Sequence, residues 1–185
     1  MCYTEIIKEL ASQGVLFSKG LDEQEFSKIE NFYDIRFPPD LKDFLRTALP
    51  ISKEFYNWRD FSENNVNSIK DRLNWPLEGI IFDIEHNNFW YDEWGPKPGN
   101  QLESIELCRK EMDKVPKLIP IYGHRYISSE PEERGNLVFS VYQTDIIYYG
   151  EDLLSYLKIE FNMKRREEID YTKVKYIRFW SEITG

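Results

Sequence analysis

The chain has few cysteines, and their spacing excludes two classes of small protein. Cys2 and Cys108 are the only cysteines among 185 residues, and neither belongs to a CxxC pair. Two separated thiols cannot build a disulfide framework, and a structural zinc ion usually needs four closely spaced ligands. We therefore expect both thiols to be free, and we expect neither a metal nor another cofactor.

Long apolar runs are also absent. No run reaches the roughly 18–20 residues that a bilayer-spanning helix needs. The first residues, MCYTEIIKEL, lack the basic and then apolar regions of a signal peptide. Hydrophobic residues make up 41% of the chain and aromatic residues 16%, which suits one packed core and not a disordered segment. These features predict a soluble, cytoplasmic protein with a single domain spanning residues 1–185.

Basic residues are scarce outside the C-terminal segment. The net charge is −9, and residues 158–185 carry seven basic and five acidic side chains, whereas residues 1–157 carry 17 basic and 28 acidic ones. An acidic body repels nucleic acid and anionic lipid, and it attracts basic proteins. We therefore expect a protein partner with a basic surface, and neither nucleic acid nor a membrane. The sequence does not indicate an oligomeric state.

Hydrophobic spacing and capping residues predict helices early in the chain and strands mostly later. The predicted helices are 3–13, a helix from Asp22 with a capping box to Glu25, 38–49, 62–73, 101–114 and 151–161. The predicted strands are 80–84, 117–127 and two short strands within 136–150. The basic segment 162–185 fits either a strand or extended chain. This order predicts an α+β fold, with helices packed on a mainly antiparallel sheet.

The segment FDIEHNNFWYDEWGPKP, residues 82–98, combines aromatic side chains with carboxylates. No lysine or arginine lies between Arg72 and Lys97. Tryptophan and tyrosine are common interface anchors, and carboxylates attract a basic ligand. We predict a partner-binding surface formed by Asp83, Glu85, Tyr91, Asp92, Glu93 and Trp94. The alternative that the aromatic residues only close the core stays open.

Catalytic motifs are missing. There is no Walker loop, no G-x-G-x-x-G and no G-x-S-x-G elbow. Asp83, Glu85 and His86 resemble loose metal ligands, but on a strand His86 would point away from the two carboxylates. We therefore predict no catalytic residue and no metal ligand. A small hydrolase that uses His86 or His124 with nearby carboxylates stays as an alternative hypothesis.

The segment IENFYDIRFPPDLKDFLRTAL and the segments 75–98 and 117–161 resemble one known family. This family is the SUKH superfamily, the fungal cell-wall assembly and killer-toxin-resistance regulators and their bacterial relatives. The first segment is similar to the family's opening motif, E-x-x-x-x-x-x-L-P-x-D-L-x-x-F-L. The segments 75–98 and 117–161 are similar to bacterial members, so the resemblance covers roughly residues 22–161. Phe37 stands where the family has leucine, and TALPIS replaces its glycine-bearing turn.

The resemblance implies a function as well as a fold. It implies helices on a mainly antiparallel sheet, and a binding role rather than an enzymatic one. Many bacterial members are taken to be immunity proteins that neutralise toxins, which are often nucleases. A nuclease is cationic where it holds phosphate, so an acidic blocker suits it. The alternative that the resemblance offers is a regulatory scaffold for cell-wall synthesis or signalling proteins.

Overall fold

The computed structural model describes residues 3–185 and has the α+β architecture that the order of elements predicts. The helices are α1 (Thr4–Ser12), α2 (Glu23–Tyr33), α3 (Pro39–Thr47), α4 (Glu63–His86), α5 (Gln101–Met112) and α6 (Leu153–Glu160). The strands are β1 (Phe17–Lys19), β2 (Ala48–Pro50), β3 (Leu118–Tyr122), β4 (Arg125–Ser128), β5 (Val138–Tyr142) and β6 (Asp145–Gly150). No helix within these residues is both long and apolar enough to cross a membrane. Cys2 lies outside the described residues, and Cys108 is free and buried.

The strands β3, β4, β5 and β6 form one antiparallel sheet in sequence order, and both of its faces are covered. Alternate residues point to opposite faces of a strand, so Ile127 joins one apolar core and its neighbour Tyr126 joins the other. Helices α1, α2, α3 and α6 contribute to the first core. The C-terminal half of α4, helix α5 and the end of the chain contribute to the second core. Strands β1 and β2 form a separate antiparallel ribbon.

Local signals place the N-terminal helices where the sequence predicts them. The Asp22 carboxylate accepts hydrogen bonds from the backbone N–H groups of Gln24 and Glu25, and the Glu25 carboxylate accepts one from the Asp22 N–H, which completes the capping box. Pro39 occupies the first turn of α3, where its missing N–H costs nothing. The predicted inward residues of that segment, Leu41, Phe44, Leu45 and Leu49, are all buried.

Helix α4 corrects the predicted strand at 80–84. Ile80, Ile81 and Ile84 favour a strand locally, but at these spacings they also share one face of a helix, and that face is buried in the second core. The helix continues through Pro76, which cannot donate a hydrogen bond to the carbonyl of Arg72. The hydroxyl of Tyr126 on β4 donates to that carbonyl instead, at 3.0 Å. Tertiary contacts therefore extend the helix past its proline.

Three further predictions need correction. The predicted strand 117–127 is a hairpin, in which β3 and β4 are joined by a tight turn at Gly123 and His124. Helical spacing predicts Leu102 on the buried face of α5 together with Cys108, but Leu102 is 70% exposed. Segment 162–185 forms neither a long strand nor a free tail. It contains two short 3-10 turns and buries Ile177, Phe179 and Trp180 in the second core.

Gly79 allows the β5–β6 hairpin to approach α4 closely. A Cβ atom at position 79 would lie 2.8 Å from the Cα of Gln143, and backbone atoms cannot yield as a flexible side chain can. We predict that Gly79→Ala lowers the free energy of unfolding by about 1–3 kcal/mol through overpacking, although alanine favours a helix by about 1 kcal/mol. Urea unfolding measures the change in the free energy of unfolding. Ser68→Ala, at an exposed position of the same helix, is the control, and equal stability of both variants would contradict the close approach.

Arg59 ties the loop before α4 to α2 and to the chain after β1. Its guanidinium donates to the Glu25 carboxylate at 2.5 and 3.1 Å and to the carbonyls of Lys19 and Gly20. The hydrogen bond from Arg59 is the main reason that the pKa of Glu25 falls from 4.5 to about 2. A carboxylate with a lowered folded-state pKa stabilises the fold above its unfolded pKa, and this stabilisation is lost as the pH falls through the folded one.

We predict that Arg59→Gln destabilises the protein, and that the difference from the unchanged protein is full above pH 4.5 and shrinks as the pH falls towards 2. Thermal or urea unfolding across this range measures the difference. Arg109→Gln is the control, since Arg109 and Glu78 form a solvent-exposed ion pair of the kind that contributes little. A difference for Arg59→Gln that does not change between pH 5 and pH 2 would contradict the account.

Candidate functional site: an aromatic groove with free carboxylates

A groove of about 1020 Å³ opens between the loop that follows α4 and the C-terminal segment. One wall is residues 89–94, and the other includes Tyr176, Arg178, Phe179, Glu182 and Ile183. The end of α5 and Thr144, in the β5–β6 turn, complete it. We call this feature the aromatic groove. Pockets for small molecules occupy about 300–1,000 Å³, so this groove lies at the upper limit of that range.

Trp94 is the centre of the aromatic cluster beneath the groove. Its ring stacks on Phe179, with 5.7 Å between centroids and an angle of 11° between planes. The rings of Trp90 and Tyr91 meet it edge to face, at 5.2 and 5.6 Å. Tyr91 also meets Phe179 at 5.0 Å. Offset stacks and edge-to-face pairs are the favourable aromatic geometries, so the loop and the C-terminal segment are held together by ring contacts.

The loop itself is fixed by hydrogen bonds. The indole N–H of Trp90 donates to the carbonyl of Gly95 at 2.7 Å, across the 3-10 turn formed by Asp92, Glu93 and Trp94. Lys97 donates to the side chain of Asn88 at 3.0 Å and lies 6.0 Å from the centre of a Trp90 ring. These contacts hold the aromatic residues in place and leave the side chains of Asp92 and Glu93 exposed.

Charge in the aromatic groove is unevenly compensated. Lys114 forms an ion pair with Glu111 at 2.7 Å, and Arg178 donates a hydrogen bond to the Lys114 carbonyl. In the described part of the chain, no ion pair involves Asp92, Glu93 or Glu182, which also line the groove. Lys114 therefore has a charged partner and Arg178 has a backbone acceptor, while three carboxylates of the groove face solvent without an ion pair.

Four of the six predicted partner-binding residues meet at this groove: Tyr91, Asp92, Glu93 and Trp94. Trp94 and Tyr91 are half-buried, so they serve the second core and the groove wall together. This combines the two interpretations that the sequence left open for the aromatic residues. Glu85 lies outside the groove, on the exposed surface of α4.

Asp83 is not a surface residue, which corrects its place in the predicted binding surface. It is buried, and its carboxylate accepts hydrogen bonds from the Thr144 N–H at 2.8 Å, the Thr144 hydroxyl at 2.6 Å and the Asn87 side chain at 2.5 Å. The backbone carbonyl of Asp83 also accepts from the Phe89 N–H at 3.0 Å. Asp83 therefore joins the end of α4 to the β5–β6 turn and to the start of the groove loop.

The two histidines lie elsewhere. His86 is exposed on α4, where its ring stacks on Phe82 at 4.3 Å. His124 lies beside Arg125, and burial together with the charge of Arg125 lowers its pKa. Neither histidine lines the aromatic groove or a smaller depression of about 410 Å³ beside Trp75. Strand alternation does not separate His86 from Asp83 and Glu85, because residues 83–86 are helical. Within residues 3–185, no three potential ligands among His, Cys, Asp and Glu cluster as a metal site would need.

The sequence did not indicate the second wall of the groove. Tyr176, Phe179 and Glu182 lie more than eighty positions after Trp94, and only tertiary packing brings them to it. The mixture of basic and aromatic residues in KVKYIRFW was the one indication of a binding surface in this segment, but it also fits an ordinary amphipathic strand.

Comparison of the chain with protein-family models, with curated proteins and with solved structures found no match.

We predict that replacement of Asp83 by alanine destabilises the protein, whereas replacement of Glu85 by alanine does not. Asp83→Ala leaves the half-buried N–H and hydroxyl of Thr144 and the Asn87 side chain without their acceptor, so the free energy of unfolding falls by about 2 kcal/mol. Glu85→Ala changes an exposed side chain without a described partner, so it stays within about 0.5 kcal/mol of the unchanged protein. Urea unfolding compares the two, and a neutral Asp83→Ala would contradict the structural role of this carboxylate.

Proposed function

We propose that the protein is a non-enzymatic protein-binding domain of the immunity type, which neutralises a toxin with a basic surface. The observation that carries the proposal is the aromatic groove, in which Asp92, Glu93 and Glu182 have no ion-pair partner among the described residues. The partner meets this groove with cationic side chains. The groove, and not the whole of segment 83–94, is the binding surface, because Asp83 is buried.

Aromatic residues supply the apolar part of the surface. Tyr176 is 66% exposed, and Tyr91 and Trp94 are only half-buried in the groove wall. Partly exposed tyrosine and tryptophan side chains offer large rigid contact areas with a polar tip, and they dominate the binding energy of many interfaces. Their mutual packing fixes them before binding, which reduces the entropy that association costs.

Carboxylates supply selectivity for a basic partner. Complementary charge steers the encounter and rejects partners of like charge. Residues 1–157 carry a large excess of acidic side chains, so the field of the protein as a whole favours the approach of a cation. A nuclease toxin has the required surface, because it must hold phosphate with basic residues. Covering that surface prevents the toxin from binding nucleic acid.

The resemblance of segments 22–161 to the SUKH superfamily supports the immunity role, and a cytoplasmic location agrees with a toxin that acts on nucleic acid. The same resemblance offers the regulatory scaffold as the alternative function. A scaffold would bind host cell-wall or signalling proteins and would not protect against a toxin. Protection therefore separates the two functions.

We expect a toxin domain to be encoded beside the chain's own gene, and the direct test uses this domain. We expect co-production of the chain to rescue growth of cells that produce this toxin, and we expect the purified pair to bind. Asp92→Lys combined with Glu93→Lys places two cations in the groove and weakens binding by about a hundredfold or more, since like charges at an interface cost several kcal/mol. Calorimetry and the growth assay measure these effects.

The matched control is Glu5→Lys combined with Glu9→Lys, on the exposed side of α1. It makes the same change in net charge, and α1 packs in the first core, away from the groove. Failure of the unchanged chain to protect would overturn the immunity function. Protection that survives the groove variant but not the α1 variant would assign binding to another surface.

A further inference from the structure

The aromatic groove suits a segment of polypeptide better than a small metabolite. Its volume of about 1020 Å³ lies at the top of the range for small-molecule pockets. Residues 89–94 and 176–183 form its two walls, and the end of α5 and Thr144 complete it. An extended segment of a partner can therefore lie between the two walls.

The chain's own cations do not satisfy the groove's carboxylates. Arg178 is held by the carbonyl of Lys114, and Lys114 is held by Glu111. Some carboxylates elsewhere in the described chain have arginine partners. Glu25 binds Arg59 at 2.5 Å, and Asp43 binds both Arg46 and Arg134. Asp92, Glu93 and Glu182 lack such partners, so an external cation has three acceptors available.

We propose that the groove binds an arginine-bearing segment of the partner, with a guanidinium placed among Asp92, Glu93 and Glu182 and against the rings of Tyr91 and Tyr176. This inference deepens the proposed function and rests on it. It names the chemistry that the groove recognises, an extended segment with arginine side chains, and it holds whichever basic protein supplies that segment.

Arginine fits these groups better than lysine does. A guanidinium is planar, so it stacks on an aromatic face while its N–H groups donate to carboxylates in its own plane. It is also less strongly hydrated than an ammonium group, so its transfer into a half-buried groove costs less. Lysine can approach the ring faces and the carboxylates only as a point charge.

The test uses the synthetic peptide Gly-Arg-Gly-Arg-Gly and two analogues, in which lysine or the uncharged citrulline replaces both arginines. Calorimetry at low salt gives affinities, and a change in tryptophan fluorescence, to which Trp90 and Trp94 of the groove contribute with the three other tryptophans, reports binding. We expect saturable binding of the arginine peptide, several-fold weaker binding of the lysine peptide and at least about tenfold weaker binding of the citrulline peptide.

Two variants and one control locate the site. Asp92→Asn, Glu93→Gln and Glu182→Gln together weaken binding of the arginine peptide by about tenfold or more, because charge-assisted hydrogen bonds are lost. Tyr176→Ala weakens it several-fold and leaves the fold intact, since this ring is 66% exposed. The control combines Glu5→Gln, Glu9→Gln and Glu132→Gln, removes the same charge outside the groove and keeps the affinity within about twofold.

Equal weakening by the control, or equal affinities of the arginine and lysine peptides, would overturn the inference. The peptide assay needs no toxin, so its outcome is independent of the protection assay. A chain that protects cells but does not distinguish the peptides would lose the arginine assignment and keep its proposed function. A chain that binds the arginine peptide at the groove but fails to protect would lose the immunity function instead.

Discussion

The hydrogen bonds of the buried Asp83 carboxylate fix the geometry on which the groove depends. They join the end of α4 to Thr144 in the β5–β6 turn and to Asn87 at the start of the groove loop. Gly79, one helical turn earlier, lets the same turn approach the helix. Because the loop leaves α4 at a position set by these contacts, Trp94 reaches Phe179 and the second wall can close the groove.

The same region combines stability with the proposed binding surface. Trp94 and Tyr91 pack on Phe179 in the second core and also line the groove. The aromatic residues therefore need no partner to become ordered, and the exposed carboxylates beside them add charge selectivity at little cost to the fold. This division explains why the four carboxylates of segment 82–98 differ so much in role. Asp83 holds the scaffold together, and Asp92 and Glu93 face the solvent in the groove.

Local signals predicted the parts of the fold that local interactions determine. The capping box of Asp22 and Glu25, the proline at the start of α3 and the β-favouring residues in 136–150 all led to correct elements. Ile80, Ile81 and Ile84 led to a wrong prediction of a strand, because β-branched residues favour strands locally. In the folded chain their burial on one face of α4 outweighs this local preference. Pro76 also prevented a correct prediction of the length of α4. The helix continues past this proline because the Tyr126 hydroxyl donates to the Arg72 carbonyl, a contact that the sequence does not show. The position of Tyr176 and Glu182 beside residues 89–94 could not be predicted, because contacts between residues more than eighty positions apart produce no pattern in a single sequence.

Hydrogen–deuterium exchange of the chain, alone and in complex with the toxin domain that we expect the neighbouring gene to encode, tests the proposed binding surface most directly. The account predicts that binding slows exchange of backbone amides in residues 89–94 and 176–183 together, since these stretches form the two walls of the groove. It also predicts little change in α1 and α2, on the other face of the sheet. Slower exchange confined to α1 and α2, with residues 89–94 and 176–183 unchanged, would contradict it.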